Sequence, residues 1–347
     1  MNDAADEIIL RQDAQLARIT LNRPKAINAL SLGMVRTMRA ALERWRSDPA
    51  VATVLIDGAG ERGLCAGGDI RIAWESLRSD GSLADTFWEE EYALNAMIAG
   101  YPKPLVAFMD GVVMGGGVGI SAHARHRVVT ERSMIAMPET IIGFTPDVGG
   151  SFLLSRAPGA VGLRLALTGS RIDGGDALYC GLADHFVPSE RLTALAVLLS
   201  RTSPDEAIAT VAAPPPEAGL ATHRGWIDAA YSGETVEAIL TALQVRPEPQ
   251  AAADADDLAA RSPTSLKVTL RSIRSALALP DLGACLAQEL RLVRALTRRP
   301  DFMEGVRAQV IDKDRVPRWS PATLAEVTDA MVAACFEDHA PGLAGSP

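Results

Sequence analysis

The chain has 347 residues, 48% of them hydrophobic and 22% charged, which is ample for a sizeable core in one large domain or two. A net charge of −9 argues against a surface that coats nucleic acid, although it leaves room for a local basic patch holding a small phosphorylated ligand. Cys65, Cys180, Cys285 and Cys335 lie far apart with no CxxC pair, which speaks against a structural metal site or a disulfide framework and for reduced thiols. The opening MNDAADEIILRQDAQ lacks the basic and apolar regions of a signal peptide and the arginines of a transit peptide. No apolar run reaches membrane-spanning length, so the expectation is a cytoplasmic protein with no membrane span.

In chain order, Ile8–Leu10 and Leu16–Leu21 are expected to pair as short strands, and Asn22-Arg-Pro-Lys breaks regular structure. Ser31 is placed to cap a helix running to about Arg46, with Leu32, Val35, Met38, Leu42 and Trp45 along one face. Val51–Ile56 and Leu105–Met109 are apolar strands closed by Asp57-Gly58 and Asp110-Gly111. A glycine turn at 114–119 should open a helix to about Ala124, a further strand falls near Met134–Met137, and another helix begins near Gly149. Strands that end in glycine turns and lead into helices predict crossover units and a largely parallel sheet. From Thr202 to Ala260 the chain turns rich in Ala, Pro and Asp, yet Trp226, Ile227, Val236, Ile239 and Leu243 predict short packed helices there. Helical periodicity resumes after Ser262-Pro263. The expected organisation is an α/β core over residues 1–200, a mainly helical region over 201–340 and a frayed tail at 341–347. No internal repeat is visible in the sequence.

Three segments carry chemistry. CAGGDI at 65–70 and MGGGVG at 114–119 are turns whose bare backbone N–H groups, at Gly68 and Gly116, would polarise a carbonyl if aimed at one point. Either turn alone is equally well a packing turn between helix and sheet. MPETIIGFTPDVGG at 137–150 sets Glu139 and Asp147 among apolar residues, where a carboxyl group can act as acid, base or nucleophile. Taken singly, Asp147 reads as a helix cap and Glu139 as a surface acid; Ile141, Ile142, Phe144 and Val148 tilt both towards function. Of the run Glu89-Glu90-Glu91, the first two read as a solvated helix face and Glu91 as a candidate for the same cleft. His123 and His126 are three apart but lack a third ligand, so no metal site is expected. Ser121 and Ser151 lack nucleophile-elbow flanks, and neither a Walker loop nor a dinucleotide GxGxxG occurs. Lys313 and the arginines between 291 and 307 read as solvated helix before they read as phosphate ligands.

The ordered set LNRPKAINAL (21–30), CAGGDI (65–70), MGGGVG (114–119) and MPE (137–139) resembles the signatures of the crotonase, or enoyl-CoA hydratase/isomerase, superfamily. Within it, PDVGG (146–150), ALTGSRI (166–172), SPTSLKVTLR (262–271) and DFMEGVRAQVIDKD (301–314) resemble the 3-hydroxyisobutyryl-CoA hydrolase branch. The resemblance spans roughly residues 8–335. It implies a crotonase fold of repeated ββα units with a C-terminal helical region, and an acyl-CoA thioester as substrate. The CoA belongs to that substrate, and no separate cofactor or metal is implied. Also implied are an oxyanion hole at Gly68 and Gly116, catalytic acids at Glu139 and Asp147, and a substrate contact at Glu91. Lys25 and Ala26 would lie along the CoA moiety, with Asp69 and Ile70 near its adenine end, and Ala66 is a further implied substrate-binding position. Hydratases of the superfamily carry a second glutamate at the position that is Gly119 here, and many carry glycine where Asp147 stands. The resemblance therefore favours hydrolysis of a short 3-hydroxyacyl-CoA, as in valine breakdown, over hydration. A non-catalytic acyl-CoA-binding module is the remoter reading, and a trimer or hexamer of the chain is among the assemblies the superfamily implies.

Overall fold

A computed structural model describes residues 7–338; the expected tail at 341–347, like His339, lies outside the described residues. The chain divides into two compact units, each assembled from separated segments. The first comprises the residues up to Gly68, Glu90–Ala136 and Arg171–Ala221. The second comprises Asp69–Glu89, Met137–Ser170 and the residues from Thr222 onward. This division cuts across the two consecutive blocks suggested by composition, because residues 69–89 and 137–170 associate with helices that come much later in the chain.

All the strands of the described residues fall in the first unit. β1 (Ile8–Asp13), β2 (Leu16–Leu21), β3 (Thr53–Gly58), β4 (Leu105–Met109), β6 (His126–Val129) and β8 (His185–Phe186) form one sheet in the order β1-β2-β3-β4-β6-β8. β5 (Val112–Met114) and β7 (Met134–Ala136) pair in a second. β1 and β2 are antiparallel, and every other pairing is parallel. β4, LVAFM, is buried at every residue, as expected of a parallel strand covered on both faces. Leu55, Val106, Phe108 and Val128 build one core with Leu195, Leu199 and Ile208 from the helices Leu192–Leu199 and Pro204–Val211. The helix Leu32–Arg46 buries Met34, Val35, Met38, Leu42 and Trp45, and its cap Ser31 accepts from the Met34 N–H as the sequence predicts. The third strand runs two residues later than expected, Thr53–Gly58 instead of 51–56, because Asp57 is held inside the sheet by Thr20 and Arg18.

The second unit is helical. Its principal helices are Gly150–Ser155, Val161–Thr168, Val236–Gln244, Pro249–Ala260, Pro263–Ala276, Leu282–Thr297 and Pro300–Val306. Trp88, Phe144 and Phe302 form an aromatic cluster with centroid separations of 5.2 to 6.2 Å. Arg164 and the Tyr231 hydroxyl both donate to the buried carboxylate of Asp254.

Candidate active site

In the first unit, β4 ends at the turn Asp110-Gly111 and β5 leads to Gly115, whose φ of 49° turns the chain into the helix Gly116–Ser121. This helix stops three residues short of the expected Ala124. The loop after β3 runs beside it: Cys65 donates its N–H to Val112 O, Met114 returns one to Cys65 O, and Cys65 and Val113 form a parallel bridge. That pairing sets Gly68 against Gly116. A Cβ built on Gly116 would stand 3.2 Å from the Gly68 nitrogen and 2.4 Å from Glu91 Oε1, so only glycine leaves this space open. Among the described residues, no backbone carbonyl accepts from the N–H of Gly68 or of Gly116. Two backbone donors thus share one place, a geometry suited to an oxygen that gains negative charge, with the buried Glu91 carboxyl group beside it.

Glu91 lies on the helix Ser82–Ala99 and is 2% exposed. Its neighbours behave as solvated-face residues do: Glu90 pairs with Arg36 in this unit, and Glu89 pairs with Arg294 in the other. Lys25 and Ala26 are exposed on the 3-10 turn Pro24–Ala26. Ala66 reaches the same turn by donating its N–H to Ile27 O at 2.9 Å. The turn is fixed by Asn28, fully buried, with a φ of 54°. Its amide donates to Ala59 O and Gly63 O and accepts from the Arg23 N–H. Sequence reasoning assigned Asn28 no part; an asparagine held in the left-handed region is the signal that the breaker motif contained. The buried Cys65 thiol is pushed up to about 12 by burial, so it is no nucleophile. His126 stacks on His185, and burial lowers its pKa.

In the second unit, Pro138 leads into the 3-10 turn Glu139–Ile142, and Phe144 closes it by donating its N–H to Glu139 O. The helix Pro300–Val306 presses on this turn so closely that a Cβ on Gly305 would come within 2.4 Å of the Ile142 carbonyl carbon. Glu139 and Asp147 are 7% and 5% exposed, so neither is the surface acid of the plainer reading. The cap of the helix Gly150–Ser155 is Gly149, not Asp147. Asp147 instead opens a turn in which Val148 and Gly149 both take positive φ, 51° and 82°. A β-branched residue there is strained by roughly 1–3 kcal/mol, a cost found mostly at functional sites. Asp69 and Ile70, also in this unit, begin the helix Ile70–Leu77. Arg307, one of the arginines weighed as a phosphate ligand, is held by Glu304, Asp312 and Asp314.

The strained turn rests on a residue that the sequence reading missed. Glu289, fully buried on the helix Leu282–Thr297, accepts the Gly149 N–H at 2.7 Å, the Ser151 N–H at 2.9 Å and the Ser151 hydroxyl. Burial pushes its carboxyl up to about 8; the bonds from Ser151 and Gly149 pull it down, and the charge of Asp147 pushes it further up. The sequence did hold a sign: Glu289 occupies the apolar stripe of Cys285, Leu292 and Leu296, where an acid must be buried.

The enoyl-CoA hydratase/isomerase family profile matches residues 16–336. The chain is 44% identical over 329 residues to the mitochondrial 3-hydroxyisobutyryl-CoA hydrolase of Xenopus laevis, covering 92% of this chain and 85% of that protein. Among solved structures, a carnitinyl-CoA dehydratase from Mycobacterium thermoresistibile is 48% identical with a TM-score of 0.94, over 97% of this chain and 98% of the other. An enoyl-CoA hydratase from Rhodobacter sphaeroides is 40% identical with a TM-score of 0.90, over 95% and 97%. The fold is that of these structures, and the chain belongs to the enoyl-CoA hydratase/isomerase family.

Proposed function

We propose that the chain hydrolyses a short 3-hydroxyacyl-CoA thioester, 3-hydroxyisobutyryl-CoA first among them, to the free hydroxy acid and CoA. The observation that carries the reading is the pair of N–H groups at Gly68 and Gly116, which donate to no backbone carbonyl among the described residues and face a space that glycine at position 116 keeps open. They receive the thioester oxygen as it becomes an oxyanion. Glu139 takes a proton from water, whose oxygen adds to the carbonyl carbon; the C–S bond then breaks and the departing thiolate receives that proton back from Glu139. In the variant route the Glu139 carboxylate itself adds to the carbonyl, the C–S bond breaks and the thiolate leaves, and water then cleaves the resulting anhydride to regenerate Glu139 and free the hydroxy acid. Asp147 orients the 3-hydroxyl or assists the proton transfer. Lys25, Ala26, Ala66, Asp69 and Ile70 serve the CoA portion, and Glu91 the acyl portion. The relative from Xenopus laevis named as a hydrolase supports this choice of substrate. It is also named as mitochondrial, so the cytoplasmic placement of this chain belongs to the proposal.

The names of the two solved structures favour a second reading, in which the chain adds water to an enoyl-CoA or removes it. Against it stands Gly119, buried in the helix Gly116–Ser121, which offers no second acid to position water for hydration. The test is thiol release from 3-hydroxyisobutyryl-CoA beside loss of enoyl absorbance, with wild type, Glu139→Gln and Asp147→Asn. Thiol release lost in Glu139→Gln is expected; rapid hydration without thiol release overturns the proposal.

A further inference from the structure

Three hydrogen bonds converge from one short turn on a carboxyl group that the proposed chemistry does not use. Glu289 Oε2 takes the Gly149 N–H, and Oε1 takes both the N–H and the hydroxyl of Ser151. The turn between these donors and Asp147 contains two residues of positive φ, one of them a valine, which does not hold that shape unaided. The side chain is fully buried, and it sits where the charge of Asp147 acts on it. Its own helix adds the Cys285 thiol, with Arg156 acting on that thiol from the end of the helix Gly150–Ser155. A neutral hydrophobic residue in this seat would fill space but leave three buried donors without an acceptor.

We propose that Glu289 is a positioning residue for Asp147: it fixes the turn 147–151 in the one conformation that presents the Asp147 carboxyl group to the substrate. This rests on the reading of Asp147 as a group of the reaction. A carboxyl group suits the task because both of its oxygens can accept whether or not it holds a proton, whereas an amide in the same seat turns an NH2 group towards at least one of the three donors. Glu289→Gln therefore keeps the volume and loosens the turn.

The experiment is a double-mutant cycle on thiol release from 3-hydroxyisobutyryl-CoA, with kcat and KM measured separately. Glu289→Gln is expected to lower kcat by about tenfold or more while KM stays within about twofold, since it disturbs the reacting group and not the binding of the thioester. In an Asp147→Asn background the same change should cost less than about twofold further, because the group it positions is already gone. A residue that merely supports the fold would lower the yield of folded protein, or cost the same factor in both backgrounds. A wild-type kcat for Glu289→Gln, or equal losses in the two backgrounds, overturns the inference. Wild-type thiol release by Asp147→Asn strikes instead at the reading on which it rests. Should Glu289→Gln not fold, Ser151→Ala removes one donor and leaves the carboxylate; a kcat lowered about threefold or more at unchanged KM is expected, and an unchanged kcat overturns the inference.

Discussion

Gly116→Ala puts the oxyanion hole to the test with one carbon atom. The added Cβ would lie 2.4 Å from Glu91 Oε1, well inside contact distance, and 3.2 Å from the Gly68 nitrogen. Glu91 is 2% exposed, so its carboxylate relieves the clash only by leaving a buried seat. If it stays, the methyl occupies the space before both donors; if it moves, the contact proposed between Glu91 and the substrate is lost. An oxyanion needs its donors within about 2.7–3.1 Å, and losing one such donor costs roughly 2.7–4 kcal/mol, or 100- to 1,000-fold in kcat. Since the methyl obstructs both, the expectation is a fall in kcat at the upper end of that range. The assay is thiol release from 3-hydroxyisobutyryl-CoA followed with a disulfide reagent, alongside thermal unfolding to establish that the variant is folded. Gly225→Ala is the control, because a Cβ at that exposed helical glycine meets nothing within 4 Å. A folded Gly116→Ala enzyme with kcat/KM within about threefold of wild type would refute the assignment of Gly116 to the oxyanion hole.

Glu289 gives the stability of the protein a pH dependence of known sign. In the unfolded chain the carboxyl group loses its proton near 4.5, while in the folded chain it keeps it up to about 8. Folding therefore takes up a proton between those values, and the contribution, at most roughly 5 kcal/mol, is present below about pH 4.5 and lost as pH rises to about 8. Urea unfolding from pH 5 to 9 should show Glu289→Gln losing less stability over that window than wild type; parallel profiles would contradict it. Asp254→Ala strips the partly buried Arg164 of its buried counter-ion, bonded at 2.6 Å, and should cost about 3–5 kcal/mol by denaturant titration. Gly225→Ala should raise stability by about 0.5–1 kcal/mol in the same measurement, since it removes backbone freedom from an exposed helical position.

Local structure was the most legible part of this chain. LVAFM reads as a buried strand because five consecutive apolar residues bounded by prolines and Asp110-Gly111 permit little else, and β4 has those bounds. Ser31 reads as a cap because its hydroxyl replaces a missing helical acceptor for the Met34 N–H. β8, two residues long, gave no such signal. The glycines of the hole were legible as turns, but their adjacency was not, since it depends on the pairing of Cys65 with Val113 across 48 positions of sequence. The acids were visible through their apolar flanks, whereas Glu289 was hidden by distance: it meets the turn of Asp147 from 138 and 140 residues away. Composition suggested a boundary near residue 200 because composition records what a segment is made of, not which distant segment it packs against.

The interleaving of the two units also dictates an order of events on the ribosome. The chain passes from one unit to the other after Gly68, Glu89, Ala136, Ser170 and Ala221. Domains ordinarily fold in turn as they emerge. Here Trp88 and Phe144 leave the ribosome long before Phe302, the ring that completes their cluster, and Asp147 long before Glu289. The nascent second unit must therefore wait with apolar rings uncovered until nearly the whole chain has been made. Fragments ending between residues 170 and 280 are expected to be snared by chaperones or to aggregate, and a premature stop late in the message is as damaging as one near its beginning.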